Sequence, residues 1–413
     1  MALLITSNQL FAQQTLGSSA EVVAILRGHT KSIVQIEFSH NGEIVASSSR
    51  DGTVRLWRTI TGETLATIAG DPNSEISDIN WSSDDRRLAI TYRSKKSWQL
   101  TVWDVPISQP IINQRFQDIY LLEFNPNGRT FLTLGDEQKL QIWDVDSKQL
   151  THTLTPALTP TESSTVSFVA DGQRILTASF GKAIQLWDVA SGKLIDTYPA
   201  NTYGSRYPTK LDPLVSFNKR FLLSGNANIY ETGTGRLLTS ITEGRSPISF
   251  SSDGKTFLTV SYDAAEKSSH RQSYLSNRKI DDGEELTAFQ VPEGISDIIW
   301  SPDGKTIAII GLEFHPRVID AVTGREYGRL PYGNCWPWTM FGSDGCEAIK
   351  FSADGAVLLK EKEPIKLWDA RTVSLITLLK AAHLPAVFSP TNGQVLATRS
   401  EDKKSVLLWR LKR

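Results

Sequence analysis

Sulfur is scarce in this chain: two cysteines and two methionines among 413 residues. Cys335 and Cys346 are too few for a disulfide framework, and neither sits in a Cys-x-x-Cys pattern, so a cysteine metal site is excluded. Two free thiols fit a reducing compartment, with one local disulfide as the alternative. An excess of either charge is also lacking. Lys and Arg total 44 against 45 for Asp and Glu, so no global field favours a polyanion, and nucleic acid would need a local patch. No apolar run approaches the roughly 18 residues of a membrane-spanning helix. The start carries Ala2-Leu3-Leu4-Ile5 without a basic leader, and Ser7, Asn8 and Gln9 interrupt it. A cytoplasmic protein with no membrane span is therefore expected, with secretion as the minor alternative.

Catalytic motifs are missing as well. There is no phosphate-binding Gly-rich loop, nucleophile elbow or His-Glu-x-x-His, and the six histidines are scattered. Acidic pairs such as Asp84-Asp85 and Asp281-Asp282 fall in turns, where Asp serves backbone geometry. No cofactor, metal or catalytic residue is expected.

What is present is a repeat. An apolar strand ends in an aromatic residue, a turn follows, and a second apolar strand leads to an alternating strand closing on Trp-Asp. The aromatic markers are Phe38, Trp81, Phe124, Phe168, Phe217, Phe250, Trp300, Phe351 and Phe388. Most intervals lie near the period of one four-stranded propeller blade. The turns include Asn41-Gly42, Asn127-Gly128, Asp171-Gly172, Asp253-Gly254, Asp303-Gly304 and Asp354-Gly355, residues that tolerate the positive φ of tight hairpins. Downstream come Arg55-Leu56-Trp57, Val102-Trp103-Asp104, Ile142-Trp143-Asp144, Leu186-Trp187-Asp188, Leu367-Trp368-Asp369 and Leu408-Trp409-Arg410, whose alternation predicts half-buried third strands.

On these residues the chain resembles the WD-repeat β-propeller family over roughly 22–413. The first unit matches best: Gly28-His29, Ser47, Asp51-Gly52 and Trp57 occupy the positions of the family's hydrogen-bonded tetrad, which the resemblance places on His29, Ser47, Asp51 and Trp57. A buried carboxylate needs donors, and imidazole, hydroxyl and indole can link the strands of one blade. Other units depart. Thr133 and Glu137 stand before Trp143, Thr177 and Gly181 before Trp187, and Tyr230-Glu231 and Ile319-Asp320 replace Trp-Asp in the fifth and seventh units.

The expected fold is all-β, a single closed propeller of nine four-stranded blades, or eight if the fifth and sixth units share strands. The last unit has room for three strands before Arg413, and Val22 to Leu26 is an orphan strand that would complete it. Such closure removes exposed sheet edges. Residues 1–21 are expected to form a poorly ordered N-terminal extension, and 22–413 the propeller.

Function is expected in the loops of one face, where insertions bring Tyr203, Arg206 and Tyr207, then His270, Arg271 and Tyr274, then Phe314 and His315, then Trp336 and Trp338. Aromatic and Arg side chains are the types enriched at interface hot spots. The alternative for the tryptophans is a local plug over the blades. A basic loop, Arg93, Lys95 and Lys96 beside Trp98, reads as a solvated turn or a phosphate grip. The resemblance implies a non-catalytic protein-interaction scaffold with a protein or peptide partner and no nucleic acid. The alternatives are an enzyme with a site at the central channel, marked by converging carboxylates or histidines, and a peptide or nucleic-acid reader.

Overall fold

The structure is a computed structural model of the full chain. It describes residues 19–412 except 71–73, 96, 107, 136–137, 159–163, 180–181, 199–214, 217, 224–227, 241–244, 263–272, 292–294, 312–314, 332–348 and 361–363.

The described residues form nine antiparallel sheets in chain order, and the fold is an all-β propeller of nine blades. Blade 1 is built from Ile33–Phe38, Ile44–Ser49, Thr53–Arg58 and Thr64–Ala69. The remaining blades span 75–116, 119–154, 164–198, 221–240, 245–291, 295–329, 349–379 and 382–411. Eight sheets have four strands. Blade 5 has three, Phe221–Leu223, Asn228–Glu231 and Leu237–Ser240, and Val215 bridges to Leu222 where its first strand would run. Blade 6 begins with its own strand, Arg245–Phe250, so the two units do not share strands and the eight-blade alternative falls away.

The fourth strand of blade 9 is the N-terminal one. Ala20–Leu26 pairs antiparallel with Val406–Leu411 from Ala20↔Leu411 to Leu26↔Val406, with a bulge between Val22 and Ala24. It begins two residues before the strand expected from sequence. Residues 1–18 of the expected N-terminal extension lie outside the described residues.

Burial runs in a gradient across each blade. Second strands are nearly wholly buried, as in Ile44–Ser49, Thr130–Gly135 and Arg174–Ser179. Fourth strands such as Leu194–Tyr198 are largely exposed, as an outer edge must be. Third strands show the expected half burial, but on both faces. In Thr53–Arg58, Val54 and Leu56 pack into a cluster with Ile79, Leu88 and Ile90 of blade 2, while Trp57 packs on the other face with Ala397 and Leu408 of blade 9. Blades stack face to face, so the alternation separates two buried sides rather than core from solvent. Each fully buried Leu, Ile or Trp of this kind contributes about 1.5–3 kcal/mol.

The first-to-second strand turns follow the predicted chemistry. Positive φ occurs at Gly42 (72°), Gly128 (69°), Gly254 (66°), Gly304 (69°) and Gly355 (70°), and at Asp85 (57°) and Lys219 (57°), where no glycine is available. A Ser two residues before the turn Asp or Asn braces it, as in Ser251 Oγ donating to Asp253 at 2.7 Å and Ser301 Oγ to Asp303 at 2.6 Å.

The chain divides into two compact units. One comprises Met1–Trp81, Asp85–Arg115 and Glu347–Arg413 and so holds blades 8, 9, 1 and nearly all of 2. The other comprises Ser82–Asp84 and Phe116–Cys346 and holds blades 3 to 7. Among the described residues no helix is long and apolar enough to cross a membrane.

Candidate functional site

In blade 1, strand pairing sets Ser47 opposite Arg55 and Val45 opposite Trp57, which puts the Ser47 hydroxyl and the Trp57 indole on one face. Trp57 Nε1 donates to Ser47 Oγ at 2.9 Å. His29, in the connection entering the blade, lies 2.9 Å from Ser47 Oγ through Nε2 and 3.0 Å from Asp51 Oδ2 through Nδ1. With the proton on Nδ1 facing the carboxylate, Nε2 accepts from Ser47, so the donors run in one direction from indole to carboxylate. Burial pushes the His29 imidazolium down against the opposing pull of Asp51, keeping the ring neutral. Burial raises Asp51, but the Thr53 hydroxyl at 2.6 Å, the Thr30 amide at 2.8 Å and His29 outweigh it and hold the carboxyl at about 2. His29, Ser47, Asp51 and Trp57 thus meet as one network whose bonds tie the entry of the blade to its second and third strands.

The same hydroxyl-to-indole bond recurs where the residues allow it. Trp143 donates to Thr133 at 3.0 Å, Trp187 to Thr177 at 3.0 Å and Trp409 to Thr398 at 2.9 Å. In blade 2 the cross-strand position is Ile90, opposite Thr101, and the buried Trp103 Nε1 finds no partner. In blade 8 it is Lys360, opposite Lys366. Glu137 and Gly181 lie outside the described residues.

A polar cluster that the sequence reading did not single out lies where the first strands of blades 1 and 2 meet. Gln35 Nε2 donates to Glu37 Oε1 at 3.2 Å and to Asp78 Oδ1 at 3.0 Å, while the Ile79 amide donates to Gln35 Oε1 at 3.2 Å. Burial, reinforced by the nearby Asp78 charge, pushes Glu37 up to about 8, and burial raises Asp78 too. The available signal was polar residues at alternate positions of apolar strands. In blades 3 to 5, Glu123 accepts from Ser167 Oγ at 3.1 Å and pairs with Lys219, and a cavity of about 240 Å³ opens among the turn residues Pro126, Asp171, Gly172, Asn218 and Lys219.

Of the interface candidates, Tyr274 lies on the third strand of blade 6, Ser273–Lys279, paired with Ser261 and Gln290, and is exposed. His315 is exposed on blade 7 with Nδ1 donating to the Leu330 carbonyl at 3.1 Å. Tyr203, Arg206, Tyr207, His270, Arg271, Phe314, Trp336 and Trp338 lie outside the described residues, as do Cys335 and Cys346. In the basic loop, Arg93 sits 5.8 Å over the Trp98 ring and 3.7 Å from Glu75, an internally engaged arrangement; Lys96 is outside the described residues.

Residues 20–58, the strand that closes blade 9 together with the tetrad-bearing part of blade 1, match the family described as WD domain, G-beta repeat. The propeller carries a WD repeat over this stretch. Among relatives of this chain, a WD repeat-containing protein 26 homolog of Arabidopsis thaliana is 22% identical over 401 residues, 95% of this chain and 51% of that protein. The eukaryotic translation initiation factor 3 subunit I of Saccharomyces cerevisiae (strain YJM789) is 25% identical over 137 residues, 32% of this chain and 38% of that protein. The chain therefore spans about half, or less, of the length of these relatives. Among solved structures, the computationally designed Ika8 protein matches 94% of this chain and 99% of its own with a TM-score of 0.50 and 16% identity.

Proposed function

We propose that this WD-repeat propeller is a non-catalytic, cytoplasmic scaffold that presents the loop end of its blades to protein partners. The loop end is where second strands pass to third strands and fourth strands pass to the next blade. The observation that supports this reading most is the burial gradient: the second strands, which feed the second-to-third loops, are nearly wholly buried. Side chains mounted on such strands are held in place before a partner arrives, so little ordering entropy is lost on docking. WD-repeat proteins as a family typically mediate protein interactions, which agrees with this reading. The test is affinity capture with the native chain beside a Tyr207→Ala/Trp336→Ala/Trp338→Ala variant of equal melting temperature. The variant is expected to lose partners; identical capture lists would remove those residues from the interface.

One observation favours a catalytic alternative: the paired carboxyls of Glu37 and Asp78, with raised affinity for protons. Gln35 is bonded to both, and among the described residues no metal-holding group of three His, Cys, Asp or Glu side chains includes them. A structural role accounts for the pair. Glu37→Gln is accordingly expected to leave partner capture unchanged.

A further inference from the structure

The loop end where blade 9 meets blade 1 is strongly cationic. Arg27 and Lys31 on the connection between these blades, Arg50 on the blade 1 loop, Lys403 and Lys404 on the blade 9 loop, and Lys380 on the connection into blade 9 are all exposed. Arg55 and Arg399 lie half-buried below them. The loops carry three carboxylates, and two are already occupied. Asp51 accepts from Thr30 and Thr53 and faces His29, and Asp402 accepts from Ser400 Oγ, the Lys404 amide at 2.8 Å and the Ser405 amide at 3.2 Å. Only Glu401 faces outward without such bonds among these described loops. Eight cations thus gather at one place on a chain whose net charge is -1, so the patch is local and not a property of the whole surface.

This platform is tied down. The Ile33 amide donates to the Lys403 carbonyl at 2.7 Å, Arg399 Nη1 donates to the Ile33 carbonyl at 3.2 Å, and the Arg50 amide donates to the Ser32 carbonyl at 2.9 Å. The Arg55 guanidinium presses against Gly28, where a Cβ would stand 2.5 Å from Nη1, and sits 5.9 Å over the Trp57 ring. Nε of both Arg55 and Arg399 is buried without a partner, and no carboxylate is paired with either among the described residues. Arginines that keep unpartnered N–H donors and no paired carboxylate beside fixed loops suit planar or tetrahedral oxyanions.

We infer that this loop end of blades 9 and 1 holds an extended anionic peptide segment, acidic or phosphorylated, of a protein partner. The inference rests on the scaffold reading and names the chemistry of one partner element. Face-packed sheets lie roughly 10 Å apart, so a segment crossing both blades needs about three to six extended residues. Single-stranded nucleic acid fits less well, because these loops expose no aromatic side chain on which bases could stack. A membrane surface fits less well because Val34 is the one large apolar side chain exposed beside these loops among the described residues, too little to enter the interface.

The experiment is fluorescence anisotropy on the full chain with a labelled peptide of alternating glutamate and phosphoserine, about ten residues long to cross both blades. Comparison probes are its glutamine/serine counterpart, an oligothymidylate of similar length, and phosphatidylcholine vesicles with and without phosphatidylinositol bisphosphate. The anionic peptide is expected to bind with an affinity that falls as salt rises, and Lys31→Glu/Lys404→Glu is expected to weaken it at least about tenfold at unchanged melting temperature. The charge-matched control Lys148→Glu/Lys193→Glu, on exposed turns of blades 3 and 4, is expected to bind as the native chain does. No binding, binding indifferent to Lys31→Glu/Lys404→Glu, or preference for the oligonucleotide or the vesicles overturns the inference. A cellular partner captured equally by the native and charge-reversed chains would overturn it while leaving the scaffold reading standing.

Discussion

Ser47 stands between two buried groups, accepting from Trp57 Nε1 and donating to His29 Nε2. Thr177 serves one among the described residues, Trp187. A buried polar group left without a partner costs about 1–3 kcal/mol. Ser47→Ala is therefore expected to destabilise by about 2–4 kcal/mol and Thr177→Ala by about 1–2 kcal/mol. Urea denaturation of the two variants checks the order, and equal midpoints would contradict the relay. Glu37 carries a pH dependence. Its carboxyl binds a proton more tightly folded, at about 8, than at its ordinary value of 4.5. The folded state thus holds more protons between these values. The contribution is fully present below the ordinary value and is lost as pH rises through about 8. Glu37→Gln is expected to flatten the thermal stability profile between about 4.5 and about 8 and to raise the melting temperature above that window. A native profile that rises with pH over that window would refute the assignment.

Blades contact one another through their turns as well as their faces. Gly324, at the third-to-fourth strand turn of blade 7, has φ 71°, and a Cβ there would meet Phe289 of blade 6 at 2.7 Å. Gly52 has φ 84° with open space around it. Both substitutions to Ala strain the backbone, by about 1–3 kcal/mol, but only Gly324→Ala also displaces a neighbouring blade. Gly324→Ala is expected to be the more destabilising of the two by chemical denaturation. Elements also differ in how exposed their edges are. Removing residues 1–26 deletes the strand paired to Val406–Leu411 and bares a long apolar ladder. The truncated chain is expected to melt at least about 5 °C lower or to aggregate, as light scattering on size-exclusion chromatography would show.

For the molecule as a whole, the pairing of Ala20–Leu26 with Val406–Leu411 means that blade 9 cannot form until both ends of the chain are available. Leu411 lies opposite Ala20, and the Lys412 amide donates to the Ser19 carbonyl at 2.7 Å. A permutant beginning at Arg27, with residues 19–26 joined behind Lys412 through a short glycine-containing turn, would therefore build blade 9 from consecutive strands as the other blades are built. It is expected to keep the native melting temperature within a few degrees, roughly the effect of 1 kcal/mol or less. A permutant that fails to fold would deny that the strand docks as an ordinary fourth strand.

Most of the architecture was legible because propeller blades are local objects. Strand periodicity, turn residues at Asn41-Gly42 or Asp303-Gly304, and the closing Trp residues all act within one repeat, so nine blades and the closing role of the N-terminal strand follow from order along the chain. The tetrad partners, drawn from one blade and its entry, were legible for the same reason. Contacts between blades were not. Gln35 and Asp78 are 43 residues apart, and only the packing of two first strands makes them partners and lifts Glu37 to about 8. The cations at 27–55 and 380–404 form one patch only because the two chain ends share a sheet. Repeat patterns encode each sheet through short-range pleat and turn geometry; which faces and loop ends come together depends on stacking those sheets, and that is where burial, proton affinity and surface charge are decided.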